Sequence, residues 1–197
     1  MSLYQATASN VLNISVERNL KTAGDLFINQ SDYENALDLV ESTLALEPLN
    51  KRAWILRGDI LYCLHRDREA LACFNTALEQ EDDCIEALLS KAGVLEALGA
   101  LPEALKTCNR ILGMLHLDDL DLLFVVSDQK ISVLCWLRRY REATACLNEL
   151  KQQLPRHQFR YLNATYRTVL NQAREHRNKG LRNRPALRVI EGAPATR

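Results

Sequence analysis

The amino-acid sequence predicts an all-α fold, a right-handed α-solenoid of helix-turn-helix repeats that ends in a C-terminal capping helix. Leucine and alanine dominate the 197 residues, whereas the chain holds only 7 glycines and 5 prolines, and this composition favours helices. One helical-hairpin pattern also recurs with a period near 34 residues, which is typical of hairpins that stack into a solenoid. The same alanine marks each copy of the pattern: Ala36, Ala70, Ala104 and Ala143.

Aligning the chain on this alanine predicts four repeats, at about 17–50, 51–84, 85–118 and 124–157. Residues 1–16 form an N-terminal segment that is expected to be partly disordered or a short helix. In the first three repeats a small residue (Gly24, Gly58 or Ala92) is expected to bring the first helix close to the alanine of the second, since a tightly packed interior has no spare volume.

The fourth repeat follows five extra residues, around Leu117 to Asp121. This insertion predicts either a lengthened first helix, with Asp118 or Asp119 as its N-cap, or a bulged loop. Either change would alter the pitch of the solenoid.

The segment after Pro155 predicts a single amphipathic helix over residues 158–178, in which Phe159, Leu162, Tyr166 and Leu170 recur at helical spacing. A terminal repeat exposes one apolar face, so a helix with a polar back suits the role of a cap. Residues 179–197 show no periodicity and are predicted to be a basic, disordered tail.

The second repeat carries the most regular form of the pattern, with Trp54, Gly58, Ala70 and Phe74 in succession. It resembles the tetratricopeptide repeat family, from which it departs at Arg57, where that family has Leu, and at Leu61, where the family has Tyr. The resemblance implies a concave binding wall made by the first helix of each repeat. It identifies a way of binding and leaves the partner open.

The resemblance also implies which residues form that wall. An apolar strip of Ile55, Leu56, Leu89 and Tyr62 is expected at its centre, which suits an extended or helical peptide. The wall continues through Glu86, Gly93, Val125, Asp128, Gln129 and Ser132. The residues assigned to the partner-binding groove are Lys21, Asp25, Arg52, Ile55, Leu56, Asp59, Tyr62, Leu89 and Ser90.

One subtype of the family, which clamps a C-terminal carboxylate pair, requires lysine, asparagine and arginine at defined positions of this wall. Lys21 fits the first of these positions, but Asp25 and Glu86 stand at two others. Because these carboxylates would repel an acidic peptide end, the sequence excludes a carboxylate clamp.

The charges are divided between the two parts of a chain whose net charge is zero. Residues 1–123 hold 10 basic and 20 acidic side chains, and residues 124–197 hold 15 basic and 5 acidic ones. The basic end suits phosphates of RNA or of an anionic membrane, a solubilising tail, or docking onto the chain's own acidic repeats. Its basic surface comprises Arg167, Arg174, Arg177, Lys179, Arg182, Arg184 and Arg188.

Signals for catalysis are lacking, because the sequence has no glycine-rich phosphate loop, no metal-ligand spacing and no recognisable nucleophile motif. No enzyme activity, cofactor or metal is therefore expected. The six cysteines are interpreted as reduced, apolar core residues. The chain shows no secretory signal and no apolar run near the ~18 residues of a membrane span, so a cytoplasmic location is expected.

Two functions from different classes follow. The favoured one is a non-catalytic adaptor, or an assembly or chaperone-type scaffold, that holds a peptide or helix of a partner protein in its groove. The alternative is a nucleic-acid-associated regulator whose basic end contacts phosphates; nucleic acid is the less favoured partner. The division of charge also predicts weak self-association that salt suppresses.

Overall fold

The structure, a computed structural model, describes residues 3–116 and 119–182. Over these residues the chain folds into nine α-helices and no β-strand, and a π-helical turn, Leu26–Gln30, extends the first helix. The helices are α1 (Leu3–Asp25), α2 (Tyr33–Leu46), α3 (Lys51–Cys63), α4 (Asp67–Gln80), α5 (Ile85–Ala97), α6 (Leu101–Met114), α7 (Leu120–Trp136), α8 (Tyr140–Gln153) and α9 (Arg156–Arg182).

The helices form two layers. Each packs on the next along the chain, and each odd-numbered helix also contacts the following odd-numbered one, from α1 through to α9. Within the described residues no contact of similar extent links neighbouring even-numbered helices. Because helices approach one another more closely on the inner side of a curved stack, the odd-numbered helices form the inner wall. The chain is thus an all-α repeat solenoid, as predicted.

The four recurrent alanines lie between the two layers, and none of them has any exposed surface. Gly58 in α3 shows why small residues are needed there. A Cβ atom added to Gly58 would lie 2.5 Å from Cε1 of Phe74 in α4, far inside van der Waals contact. The predicted close approach of the two helices is therefore present in the second repeat.

The same prediction is wrong for Gly24, where an added Cβ atom would meet nothing within 4 Å. The reason lies in the facing helix. The residue 34 positions before Phe74 is Val40, which is smaller than phenylalanine and does not fill the space beside Gly24. The small residue of the first repeat is consequently not required by packing.

Each turn from an inner to an outer helix contains one residue with left-handed backbone, and these residues keep the spacing of the repeats. They are Ser31, His65, Gly99 and Arg138, with φ of 53°, 59°, 74° and 57°. In repeats two to four the following amide donates to the carbonyl five residues earlier, as Arg66 does to Leu61 at 2.9 Å. This is the usual way of satisfying a helix C-terminus. The repeat register is therefore fixed by backbone geometry as well as by packing.

Three boundaries differ from the sequence prediction. Helix α1 begins at Leu3 and not near residue 17, because residues 3–23 contain no glycine or proline to end a helix. Helix α7 has 17 residues, four more than α3 and α5, so the insertion lengthens a helix. Helix α9 continues to Arg182, so residues 179–182 belong to it and not to a tail.

None of the helices in the described residues combines the length and the apolarity needed to cross a membrane.

Candidate functional site

The residues assigned to the groove lie on three consecutive inner helices. Lys21 and Asp25 are exposed on α1. Arg52, at the start of α3, reaches back to α1 and forms an ion pair with Glu17 at 3.1 Å. This pair links the first two inner helices across the exposed wall.

Two members of the predicted apolar strip do not lie where they were expected. Ile55 is buried in the core shared by α3, α4 and α5, so its assignment to the groove is wrong. Leu56 is half-buried and packs on the core formed by α1 and α2. Both side chains fill the joints between neighbouring repeats, because an inner helix must bury apolar surface on each side. The wall therefore lacks a continuous apolar centre.

An open cavity of about 370 Å³ lies on the inner wall where α5, α7 and α9 meet. Leu89 and Ser90, both predicted groove residues, line its α5 side. The other lining residues are Glu96 of α5, then Val125, Asp128, Gln129 and Ser132 of α7, and Tyr166 of α9. The four α7 residues occupy wall positions that the resemblance implied.

Hydrogen bonds join the three helices at this cavity. The Ser132 hydroxyl donates to Oε1 of Glu96 at 2.6 Å, linking α7 to α5. The Tyr166 hydroxyl donates to Oδ1 of Asp128 at 2.7 Å, linking α9 to α7. Together with burial, this bond raises the pKa of Tyr166 above its usual value, so its hydroxyl stays a donor. The carboxylates thus hold the wall together and still border open space.

Glu96 and Tyr166 were not assigned to the groove from the sequence. Glu96 stands one turn beyond the wall positions that the family resemblance implied. Tyr166 had been identified only as part of the apolar face of the capping helix. Its place in the cavity depends on how α9 lies along α7, which the sequence pattern does not specify.

Asp59 of α3 stands on the same wall, next to α5. Burial raises the pKa of Asp59 to about 6, the hydrogen bond from Ser90 opposes this effect, and the charge of Glu86 adds to it. Burial raises the pKa of Tyr62 most, and the charges of Asp67 and then Glu96 raise it further. The wall from α3 to α7 is therefore under a negative potential.

Among the side chains that the structure describes, the carboxylates of this wall form no ion pair. None of the carboxylates of Asp59, Glu86, Glu96 and Asp128 has a lysine or arginine within 4.0 Å there. We call these four the wall carboxylates. Their hydrogen-bond partners, where present, are hydroxyl groups.

Apolar side chains are exposed at the C-terminal ends of the inner helices. Tyr62 of α3 is 40% exposed, Leu98, directly after α5, is 38% exposed, and Trp136 of α7 is 70% exposed. Large apolar groups are thus exposed at the same end of three successive inner helices. Of these, only Tyr62 was predicted to belong to the groove.

The predicted basic surface extends over α9 and beyond it. Arg167 is exposed on α9. Arg174, Arg177, Lys179 and Arg182 belong to the same helix, and Arg184 and Arg188 lie outside the described residues. Five of the seven residues therefore belong to the last helix of the stack.

A sequence profile of the tetratricopeptide repeat family matches residues 21–67 and 64–116, and these two segments extend from the last residues of α1 to just beyond α6. Their helices alternate between an inner and an outer layer, as described above. The chain is a tetratricopeptide repeat protein. Among curated protein sequences none matches this tetratricopeptide repeat protein significantly.

Solved structures with the same fold are many, at low sequence identity. A tetratricopeptide repeat protein from Parabacteroides merdae is 20% identical over 85% of this chain, with a TM-score of 0.66, and this chain spans 63% of its length. YrrB, described as having an unusual peptide-binding site, is 19% identical over 95% of this chain and 94% of its own, with a TM-score of 0.62. The first such domain of Spaghetti (RPAP3), bound to the HSP90 peptide SRMEEVD, is 18% identical over 63% of this chain and 96% of its own, with a TM-score of 0.56.

The departure from the tetratricopeptide repeat pattern at Arg57 has a structural explanation. Its guanidinium lies 5.7 Å from the centre of the Trp54 ring and donates to Glu41 and to Sγ of Cys73. These contacts join α3 to α2 and α4 on the side away from the inner wall. Arg57 is thus a structural residue of the second repeat.

Proposed function

We propose that this tetratricopeptide repeat protein is a non-catalytic adaptor, or an assembly or chaperone-type scaffold, that binds a segment of a partner protein in the groove of its inner wall. The observation that carries the proposal is the open cavity between α5, α7 and α9, with Leu89 and Val125 beside hydrogen-bonding side chains. Apolar surface with a few polar groups suits a peptide.

Two of the structural relatives support the proposal. The RPAP3 domain holds an HSP90 peptide, and YrrB has a peptide-binding site. Both have the same helical-repeat fold as this chain. The six free thiols of the chain also suit work in the reducing cytoplasm.

A selection from a displayed library of random peptides tests the proposal, with the full-length chain as bait. The blocking variant is Gly93→Trp, because a Cβ atom at Gly93 would meet only the amide of Gln129, at 3.4 Å, and a large side chain would therefore fill the groove. The matched control is Gly113→Trp on the outer helix α6, where Gly113 is exposed and an added Cβ atom meets nothing within 4 Å.

Peptides that bind the parent chain are expected to bind Gly113→Trp equally and to bind Gly93→Trp at least tenfold more weakly. Circular dichroism of the two variants checks that each keeps the helix content of the parent. If no selected peptide distinguishes the two variants, the groove is not the binding surface and the proposal is wrong.

A further inference from the structure

The wall carboxylates come from three different inner helices and face the same groove. Asp59 belongs to α3, Glu86 and Glu96 to α5, and Asp128 to α7. Asp59 and Glu86 are close enough for the charge of one to raise the pKa of the other. Glu96 and Asp128 both border the cavity. A segment lying along the groove would therefore pass one carboxylate after another.

The hydrogen bonds that these groups already make leave most of their capacity unused. An ionised carboxylate has about four acceptor positions, whereas Glu96 accepts from Ser132 and Asp128 from Tyr166. Hydroxyl groups supply hydrogen bonds but no positive charge. The unused acceptors and the uncompensated charge both favour a ligand that brings cationic donors.

Desolvation decides between classes of partner. A neutral or acidic segment in this groove would remove water from the wall carboxylates without compensating their charge, which is costly. A lysine or arginine side chain would replace the water with charge-assisted hydrogen bonds. The ring of Tyr62, which is exposed and lies within range of the charge of Glu96, also provides a face on which a guanidinium stacks favourably.

We propose that the groove of this chain recognises a basic segment of a partner protein, whose lysine or arginine side chains bind at Asp59, Glu86, Glu96 and Asp128 while its aliphatic side chains contact Leu89 and Val125. This inference rests on the proposed groove function and names the chemistry of the partner segment. The charge complementarity between a cationic peptide and four carboxylates that form no ion pair with a described side chain is the argument for this occupant.

The display selection described above tests it through the composition of the peptides. Peptides that the parent and Gly113→Trp bind, and that Gly93→Trp loses, are expected to contain at least twice as much lysine and arginine as the unselected library. If these groove-dependent peptides are neutral or acidic, the inference is wrong while the groove function stands. If no peptide depends on the groove, the proposed function fails and the inference with it.

A charge-removal experiment sharpens the result with one synthetic groove-dependent peptide, labelled with fluorescein. In Glu86→Gln/Glu96→Gln the amides keep the shape of the wall, and we expect affinity to fall at least tenfold by fluorescence anisotropy. The matched control is Glu79→Gln/Glu103→Gln, which removes the same charge from exposed positions of the outer helices α4 and α6 and should change affinity less than twofold. Equal losses in both variants would overturn the inference.

The chain's own basic end is a second source of the same chemistry. Residues 183–197 contain Arg184, Arg188 and Arg197. We expect a chain ending at residue 182 to bind the labelled peptide within twofold of the full-length chain. If the shortened chain binds the peptide at least tenfold more tightly than the full-length chain, residues 183–197 compete for the groove, and the chain's own end, not a partner protein, is the occupant.

Discussion

The second and fourth repeats build the same hairpin from different side chains. In the second, Gly58 of α3 admits the ring of Phe74 from α4. In the fourth repeat the equivalent positions, 73 residues later in the sequence, hold Ile131 and Leu147, and both side chains are buried in one cluster. Because isoleucine and leucine are equal in size, the fourth repeat divides this volume evenly between its two helices, whereas the second takes it from the outer helix alone. Each hairpin fills its core, but the volume is shared differently between the two helices.

The two repeats also differ in how much they depend on their neighbours. The core around Ile131 includes Leu162 of α9 and packs against Phe159 and Tyr166 of the same helix. Hydrogen bonds from Gln158 to Asp121 and from Tyr166 to Asp128 add to these contacts. The second repeat has repeats on both sides, whereas the fourth depends on the capping helix. The second repeat shares its core with α5 of the next hairpin, and the fourth shares its core with the single helix α9.

The largest effect is expected where the second repeat is most tightly packed. Gly58→Leu would force Phe74 out of its place and should lower the free energy of unfolding by about 3 kcal/mol or more, since overpacking alone costs about 1–3 kcal/mol and the array also loses neighbouring interfaces. Urea unfolding followed by circular dichroism measures it. The control is Gly24→Leu, which has room for its first side-chain atom and should cost much less. Equal losses would show that the repeat register is wrong.

A somewhat smaller effect is expected when the fourth repeat loses its support from α9. Leu162 has no exposed surface, and Leu162→Ala should cost about 2–4 kcal/mol. Hydrogen exchange should speed up in α7 and α8 and remain unchanged in α3 and α4, because the cavity would lie beside the fourth repeat only. Asn163→Ala, at the exposed neighbouring position, serves as the control. Uniform acceleration along the chain would contradict the proposed dependence.

The wall charge of the second repeat should be visible as a pH dependence of stability. Burial raises the pKa of Asp59 to about 6 from an ordinary value of 3.8, so the folded chain binds this proton more tightly than the unfolded chain. The resulting stability is fully present below pH 3.8 and is lost as pH rises through 6. Between pH 4 and 7.5 the parent should lose about 1–2 kcal/mol relative to Asp59→Asn.

Urea unfolding of the parent and of Asp59→Asn at both pH values measures this difference, and carboxylates common to both chains cancel. Glu86 is the titratable neighbour of Asp59, so Glu86→Gln should reduce the effect. A constant difference between the two chains across the pH range would mean that Asp59 is well solvated.

The smallest effect concerns the turns of the two repeats, which hold His65 and Arg138 with left-handed backbone. Glycine adopts this conformation without the steric cost that other residues pay. His65→Gly and Arg138→Gly should therefore each raise the free energy of unfolding by about 0.5–1 kcal/mol. Thermal unfolding measures both variants. Destabilisation by either glycine would indicate that contacts of the original side chain stabilise the fold by more than its left-handed backbone destabilises it.

Much of the fold could be predicted from the sequence because each hairpin repeats one local pattern. The spacing of the alanines located every hairpin, and the insertion before α7 was recognised as a lengthened helix or a loop. The turns were harder to predict. Of the four turns, only the one at Gly99 has a residue type that favours left-handed backbone. Ser31, His65 and Arg138 are held in that conformation by the helices on either side.

The groove was predicted less completely, for a physical reason. Alignment to the family finds which face of an inner helix is turned to the wall, and it located Asp59, Leu89 and Ser90 there. It does not specify how far each side chain reaches into the joint with the next repeat, which is where Ile55 is buried. The cavity also needs Tyr166, whose position depends on packing between α9 and α7.

The pair Gly58 with Phe74 and the pair Ile131 with Leu147 divide the core volume differently between inner and outer helix, and this difference restricts how such a chain can be recombined. An inner helix from one repeat joined to the outer helix of the other would place Phe74 against Ile131, or leave Gly58 facing Leu147 across a void. Viable duplications, deletions and grafts must therefore exchange whole hairpins, with junctions in the loops that precede the inner helices. In this protein the heritable unit of change is the pair of helices.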